Sequence, residues 1–230
     1  MNLTKEAWPR IIPFALYMVF IGLEEILHFL KAKGIFYLSD QSIYFLYPVK
    51  ILLVGLTLLL FRSRYSEIKL RDFLKLSHTG FCILTGFVVF VLWVNMDCSF
   101  ATIGIPAGYN PTIFADKTIE TCLIISRLAG AVVVVPVMEE LFWRSFLIRY
   151  IVQHDFMKVP IGQFSWPSFL ITTILFGLEH NLYLAGMVAG MAYNLILYYT
   201  KSIFQCILAH AVTNLALGIY VCYTGQWQFW

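Results

Sequence analysis

Residues 132–144 read VVVVPVMEELFWR. Two adjacent carboxylates and an arginine lie in a stretch that otherwise consists of aliphatic and aromatic residues. Similar apolar runs recur along the 230-residue chain, which is 60% apolar and 13% charged, whereas soluble domains contain about 25% charged residues. The lipid bilayer is therefore the expected solvent, and polar groups inside the runs need a specific explanation.

Eight apolar segments come close to the ~20 residues that a helix needs to cross a bilayer. They are too long and too continuous for the alternating strands of a membrane barrel, and helices satisfy their own backbone groups in lipid. We predict an all-α, polytopic membrane bundle of seven or eight transmembrane helices, forming one domain over residues 1–230. The segments are 10–30, 42–61, 78–96, 118–135, 137–153, 166–181, 182–199 and 203–223.

Charge placement predicts an orientation. Loop 62–77 holds five Lys and Arg residues and loop 97–117 is poor in them, so the first loop and the N-terminus are expected in the cytoplasm. Segments 118–135 and 137–153 are either two spans or one helix bent at Pro136, and the second alternative obeys the positive-inside rule better. We expect a multi-pass protein of the cell inner membrane.

Several function classes lose support from the sequence. A formal net charge of +3 is too small to suggest a nucleic-acid partner. The five cysteines contain no CxxC pair, so neither a disulfide framework nor a cysteine metal site is expected. The chain has no HExxH zinc motif and no GxSxG nucleophile elbow.

The two acids of the opening stretch have different surroundings on a helix. Arg144 follows Glu140 by four residues, so the two side chains share a face and Arg144 is expected to neutralise Glu140. Glu139 points elsewhere and has no partner on this helix. The structural alternative is a buried ion pair with Glu139 at a polar edge.

Two further polar motifs lie in apolar runs. In FGLEHN, Glu179 and His180 close a run, and the structural alternative is an interfacial loop, which suits Glu179 in particular. In HAVTN, His210 and Asn214 are one helical turn apart in the last run, so both must face protein or water. The structural alternative there is a hydrogen bond between helices.

Together these groups can form a hydrolase. Glu139 and His180 could hold one water, with the carboxylate taking its proton and passing it to the leaving amine. His210 and Asn214 could supply the donors of an oxyanion hole. A metal site is a second option, because Glu139, His180 and His210 could hold a divalent metal such as zinc with one position open.

The remaining polar and small residues are interpreted structurally. Glu24, Glu25 and His28, beside Lys31 and Lys33, are predicted to form a cluster at the membrane interface. Single polar groups are assigned to packing contacts or snorkelling, and small residues to close helix packing. The former are Arg127, Asn194 and Gln205, and the latter are Ala185, Gly186, Ala189 and Gly190.

Three motifs in this order resemble the CPBP family, which comprises type II CAAX prenyl endopeptidases and bacteriocin-processing or self-immunity relatives. The motifs are EExxxR (Glu139, Glu140, Arg144), FxxxH (Phe176, His180) and HxxxN (His210, Asn214). The resemblance covers about residues 118–218, and the spans within 1–117 lie outside it.

The resemblance implies an intramembrane, glutamate-dependent endopeptidase. Glu139 and His180 would prepare the water, His210 and Asn214 would stabilise the oxyanion, and Glu140 and Arg144 would support the first motif. Many members of the family are labelled metalloproteases, although their need for a metal is disputed. Membrane lipid and a peptide or membrane-protein substrate, prenylated or not, are the expected partners.

Two other classes of function remain as alternatives. A non-catalytic immunity or scaffold protein would keep the protease-like fold for binding. A transporter would use the buried acids for ions, but the sequence shows neither inverted repeats nor paired broken helices.

Overall fold

The computed structural model describes residues 3–35, 39–104 and 108–230, and all regular structure in these ranges is helical. This confirms the predicted all-α bundle. The helices are α1 (Trp8–Ala32), α2 (Asp40–Tyr44), α3 (Leu46–Leu60), α4 (Leu76–Asn95), α5 (Lys117–Val152), α6 (Trp166–Leu178), α7 (Tyr183–Thr200) and α8 (Ile203–Thr224). Single turns of 3₁₀ helix occupy the connections, among them Leu70–Leu74 before α4.

Five helical segments are long and apolar enough to cross a membrane. They are Trp8–Ala32, Gln41–Leu60, Leu76–Asn95, Lys117–Val152 and Ile203–Thr224, while Trp166–Leu178 is a shorter apolar helix. Large aliphatic side chains cover their outer faces; Leu60, for example, is 80% exposed and Leu84 is 64% exposed. Such surfaces suit lipid chains rather than water, so the chain is an integral membrane protein.

Residues 117–152 form one helix of 36 residues. The single-helix alternative is therefore confirmed, and separate spans on either side of Pro136 are excluded. Two π-helical stretches, Gly130–Val134 and Leu141–Leu147, flank the short α-helical part that carries Pro136 and the two acids. Such π turns are frequent at functional sites.

Small residues bring α6, α7 and α8 close to their neighbours. A Cβ atom at Gly86 of α4 would lie 2.6 Å from the carbonyl oxygen of Ala209 in α8, and one at Gly186 would lie 3.0 Å from Cα of Gly177 in α6. Ala185 and Ala189 are each only 2% exposed. The predicted packing role of the small residues in α7 is confirmed, and α7 lies between α4, α6 and α8.

A buried polar network ties the start of α1 to the end of α5. The guanidinium of Arg10 is fully buried and donates to both carboxylate oxygens of Glu67, at 2.7 and 2.8 Å. Ser145 also donates to Glu67, and Arg149 donates to the hydroxyl of Ser145 at 3.0 Å. Each charge in this network is hydrogen-bonded, as burial requires.

The structure revises the predicted interface cluster in α1. Glu24 pairs with Lys50 of α3, with Nζ 3.1 Å from the carboxylate, whereas Glu25 and His28 are exposed. Lys50 itself is only 3% exposed, so this ion pair joins two helices instead of lying on the surface. The sequence does not reveal this pair, because the two residues are 26 positions apart, and the location of the cluster at the membrane interface stays a prediction. All five cysteines are free in the structure.

Asp72 fixes the 62–75 connection to α8. Ser202 Oγ donates to the Asp72 carboxylate at 2.6 Å, Lys75 Nζ lies 2.9 Å from it, and Gln205 Nε2 donates to the Asp72 carbonyl at 2.8 Å. Burial alone would raise the pKa of Asp72, but the hydrogen bonds from Ser202 and Lys75 outweigh it and lower the pKa below the ordinary value.

We expect Asp72→Asn to lower the free energy of unfolding in mixed micelles by about 1–3 kcal/mol at neutral pH. Because the folded-state pKa lies below the unfolded one, this contribution is present above about pH 4, the ordinary carboxyl value, and disappears as the pH falls through the folded-state pKa. Asp155→Asn is the matched control, since Asp155 and Lys158 form the same i, i+3 pair at the surface, 3.1 Å apart. Its expected cost is below ~0.5 kcal/mol, and equal costs for the two variants would contradict the role of Asp72.

Candidate active site

One cavity of about 200 Å³ lies among α1, α5, α6, α7 and α8. Glu139, His180, His210 and Asn214, the four residues predicted to be catalytic, all line it. Three separate helical segments therefore converge on a common space, as the hydrolase hypothesis requires.

Glu139 and Glu140 differ as their helical spacing predicted. Glu140 is fully buried, and its Oε1 accepts from Arg144 Nη1 at 3.0 Å. Glu139 is 6% exposed and lines the cavity, and its Oε2 is buried with no hydrogen-bond partner in the described part of the chain. An unpartnered buried carboxylate oxygen is costly. Oε2 of Glu140 is also buried without a partner among the described residues, but of the two acids only Glu139 lines the cavity, so Glu139 is the one that a ligand or water there would satisfy.

Arg144 connects α5 to two other helices. Its Nε donates to Asn194 Oδ1 at 3.1 Å, its Nη2 donates to the Gly190 carbonyl at 3.1 Å, and its guanidinium lies 4.5 Å from the ring centroid of Phe176. Asn194 in turn donates to Thr172 at 3.0 Å. The Phe of the FxxxH motif therefore packs on the Arg of the EExxxR motif and positions the end of α6.

His210 contacts both acids. Its Nδ1 lies 2.9 Å from Glu140 Oε1, and its Nε2 lies 4.0 Å from Glu139 Oε2. The same Glu140 oxygen accepts from Arg144, so Nδ1 is best assigned as the donor. A neutral ring then presents a lone pair at Nε2, and His210 can donate towards the cavity only as an imidazolium.

His180 has a defined tautomer. Its Nδ1 lies 2.7 Å from the carbonyl oxygen of Phe176, and because a carbonyl only accepts, Nδ1 carries the proton. Nε2 is therefore free to accept a proton from water or to bind a metal. The edge of Trp93 packs on the ring, with centroids 5.3 Å apart.

Asn214 of α8 supplies a hydrogen bond that α5 lacks because of Pro136. In the π turn before Pro136, the N–H of Val135 bonds to the carbonyl of Gly130, five residues back. If this five-residue spacing continued, the N–H of residue 136 would bond to the carbonyl of Ala131. Residue 136 is a proline and has no N–H, so the Ala131 carbonyl has no donor within its own helix. Asn214 Nδ2 donates to that carbonyl at 2.7 Å. One amide hydrogen of Asn214 is thus used in structure, and the second remains for a ligand.

Glu179 belongs to the site, although the interfacial-loop interpretation favoured for it placed it elsewhere. It lies in the connection between α6 and α7, but this connection faces the cavity. Ligand atoms of Glu139, Glu179 and His180 all lie within 4.8 Å of one another, and Glu179 Oε1 is buried without a partner among the described residues. The only sequence feature that linked Glu179 to the site was its position next to His180. That position does not reveal whether the loop turns towards the cavity or away from it.

The donor set can be tested for a metal. Two carboxylates and an imidazole are suitable ligands for a divalent metal such as zinc, and metal-bound histidines usually donate their other N–H to a carbonyl or carboxylate, as His180 does. The grouping differs from the predicted set of Glu139, His180 and His210, because Glu179 takes the place of His210. A single water can also bridge groups at these separations.

Comparison with known proteins supports the motif assignment. Residues 121–216 match the family described as type II CAAX prenyl endopeptidase, Rce1-like. The match contains all three motifs and confirms the resemblance predicted for residues 118–218. No curated protein and no solved structure matches the chain. The matched family is a family of proteases, so the comparison supports a peptidase activity in general terms.

The role of Asn214 beside Pro136 leads to a prediction about stability. We expect Asn214→Ala to lower the free energy of unfolding by about 1–3 kcal/mol, since it removes the side-chain donor of the partly buried Ala131 carbonyl. In a Pro136→Ala background residue 136 regains an N–H, so the same change should cost at least about 1 kcal/mol less. Unfolding in mixed micelles measures the four corners of this cycle.

Asn95→Ala is the control for that cycle. Asn95 donates to the Val91 carbonyl at 2.7 Å, but it is exposed and the acceptor is in its own helix. Asn95→Ala should lower the free energy of unfolding only slightly, and by the same amount when Pro136 is replaced. An equal cost of Asn214→Ala in both backgrounds would show that Asn214 does not substitute for the missing N–H.

The cluster of Glu139, Glu179 and His180 predicts zinc-dependent stabilisation. We expect added Zn²⁺ to raise the thermal unfolding midpoint of the wild type, and Glu179→Gln to remove at least half of this rise by deleting one ligand. Glu25→Gln, the same change at an exposed position of α1, should keep the full rise. Equal responses of the Glu179 variant and the wild type would exclude Glu179 as a ligand.

Proposed function

We propose that this protein is an intramembrane endopeptidase of the CAAX prenyl protease type. The observation that carries the proposal is the unpartnered, buried Oε2 of Glu139, which faces a cavity shared with His180, His210 and Asn214. The match of residues 121–216 to a protease family supports the same conclusion.

The proposed reaction uses one water between Glu139 and His180. The Glu139 carboxylate takes a proton from the water, while Nε2 of His180 accepts a hydrogen bond from it and holds it in place. The water oxygen attacks the carbonyl carbon of the scissile peptide bond, and the carbonyl π electrons move onto its oxygen. Glu139 then returns the proton to the leaving amine as the C–N bond breaks.

Asn214 and His210 would stabilise the oxyanion. The amide hydrogen of Asn214 that does not bond Ala131 is the first donor. His210, when protonated, would be the second donor through Nε2, and its Nδ1 is held 2.9 Å from the Glu140 carboxylate. Glu140 and Arg144 thus act through His210 rather than on the substrate.

A divalent metal is compatible with this site. When bound by Glu139, Glu179 and His180, it would supply Lewis-acid polarisation of water or of the substrate carbonyl. The residues of this chain would then hold the ion, while Asn214 would keep its role as a hydrogen-bond donor.

The substrate is proposed to be a peptide or a membrane-protein segment, with prenylated peptides as one class to test. The N-terminus is proposed to be cytoplasmic and the protein to lie in the cell inner membrane, on the basis of the five Lys and Arg residues in loop 62–77. A reporter that is active only in the cytoplasm, fused to the N-terminus, tests this orientation, and an inactive reporter would contradict it.

We expect Glu139→Gln, His180→Ala and His210→Ala to lower the rate of peptide hydrolysis by about 10²–10⁴-fold each, because each removes a proton acceptor or a donor from the reaction. The measurement uses purified protein in detergent with prenylated and transmembrane peptides, and mass spectrometry in ¹⁸O-water to detect the new carboxylate.

Glu25→Gln and His28→Ala are matched controls, since they make the same changes at exposed positions of α1. Both should retain the wild-type rate. Equal rates for the cavity variants and these controls would refute the assigned mechanism. Full cellular function of Glu139→Gln would instead favour the non-catalytic immunity or scaffold alternative.

A further inference from the structure

The cavity contains a cation that the proposed hydrolysis does not use. Among the described residues that line it, Arg127 is the sole Lys or Arg. It belongs to α5, one of the helices long and apolar enough to cross a membrane. A guanidinium in such a segment is expensive and usually marks a functional site.

Two tyrosines cover the faces of the guanidinium. Its carbon lies 4.3 Å from the ring centroid of Tyr47 and 5.1 Å from that of Tyr109. Tyr47 is also fixed in place, because its hydroxyl donates to the Arg127 carbonyl at 3.3 Å. Aromatic rings over the faces leave the N–H groups along the edge of the guanidinium as its polar contacts.

The charge of Arg127 has no counter-ion among the described residues. Throughout the described ranges no carboxylate forms an ion pair with it, and its buried Nε has no hydrogen-bond acceptor. Glu24, an acid of the neighbouring α1, is already paired with Lys50 at 3.1 Å. Arg127 as a whole is partly exposed, but its Nε is buried and has no partner among the described residues. An unpaired cation in such a site is unfavourable, so an anion from outside the chain would stabilise it.

We propose that Arg127 binds a carboxylate of the peptide substrate. This inference rests on the proposed function, because it assigns a second substrate-binding group to the cavity that contains Glu139. Nε and one Nη of a guanidinium form a fork that matches the two oxygens of a carboxylate, and Nε is the atom that is left unsatisfied here. Arg127 is thus a binding residue that selects substrates and takes no part in the bond cleavage.

Helix α5 sets the distance between Arg127 and Glu139. Glu139 lies twelve residues after Arg127 on α5, which corresponds to about 18 Å along the axis. An extended peptide covers about 3.3–3.6 Å per residue. The carboxylate therefore lies within about five residues of the scissile bond, and it is either the C-terminus of the peptide or an acidic side chain.

Paired peptides test this assignment. One peptide has a free C-terminal carboxylate, the second is identical with a C-terminal amide, and the third is the amide with Asp at successive positions up to five residues after the cleavage site. We expect the wild type to cleave the free acid with a kcat/KM about 10- to 100-fold above that of the amide. Rescue of the amide by Asp would identify the acidic side chain as the source, and its failure would identify the C-terminus.

Arg127→Gln should abolish the preference for the carboxylate by raising KM, with kcat changed less than threefold. Arg127→Lys keeps the charge but loses the fork, so it should retain part of the preference. Arg62→Gln, at an exposed arginine outside the cavity, is the control and should behave as the wild type. The inference is overturned if Arg127→Gln keeps the wild-type preference, or if the wild type cleaves all three peptides equally.

Binding separates this inference from the proposed function. Glu139→Gln protein should cleave none of the peptides but still bind the carboxylate peptide at least tenfold more tightly than the amide, and Arg127→Gln should remove that difference. If the wild type cleaves nothing, the proposed function fails, and the binding comparison still decides the role of Arg127. Equal binding of acid and amide would overturn it.

Discussion

The ion pair between Glu140 and Arg144 is the interaction on which the rest of the site depends. Both side chains are buried and 3.0 Å apart, and between them they contact His210, Asn194 and the Gly190 carbonyl. Removal of either partner from such a pair leaves an uncompensated charge, at a cost of about 3–5 kcal/mol. The pair therefore joins α5, α7 and α8 at a single point.

The same pair explains the state of its neighbour. With Arg144 committed to Glu140, Glu139 is left with an unsatisfied oxygen in the cavity. Two adjacent acids followed by a single arginine thus give one carboxylate that is paired within the structure and one that is not. The free one, Glu139, is the proposed catalytic acid, and the paired one, Glu140, holds His210 with Nε2 4.0 Å from Glu139.

Much of this arrangement could be predicted from local patterns. Apolar runs specify helices in a membrane because backbone groups have no other partners there, and i, i+4 spacing fixes which side chains share a face, as for Glu140 and Arg144. The convergence of Glu139, His180 and His210 followed from the ordered motifs. None of these inferences needed knowledge of how the helices pack.

The remaining features depend on packing or on loop direction. Glu179 enters the cavity because the connection after α6 turns inwards, which no periodicity encodes. Glu24 pairs with Lys50 on another helix, and Arg127 contacts Tyr47 of α3 and Tyr109 of the 108–116 loop, which only packing brings together. Side chains of α1 and α3 also line the cavity, although both helices lie outside the family match.

The hydrogen bond from Asn214 to the Ala131 carbonyl has a mechanical consequence. It joins α5, which carries Glu139, to α8, which carries His210 and Asn214, so the two helices cannot slide past each other without breaking it. Any opening of the cavity to a substrate would then have to leave α5 and α8 in register, so the distances between the proposed catalytic side chains would be the same before and after a substrate enters.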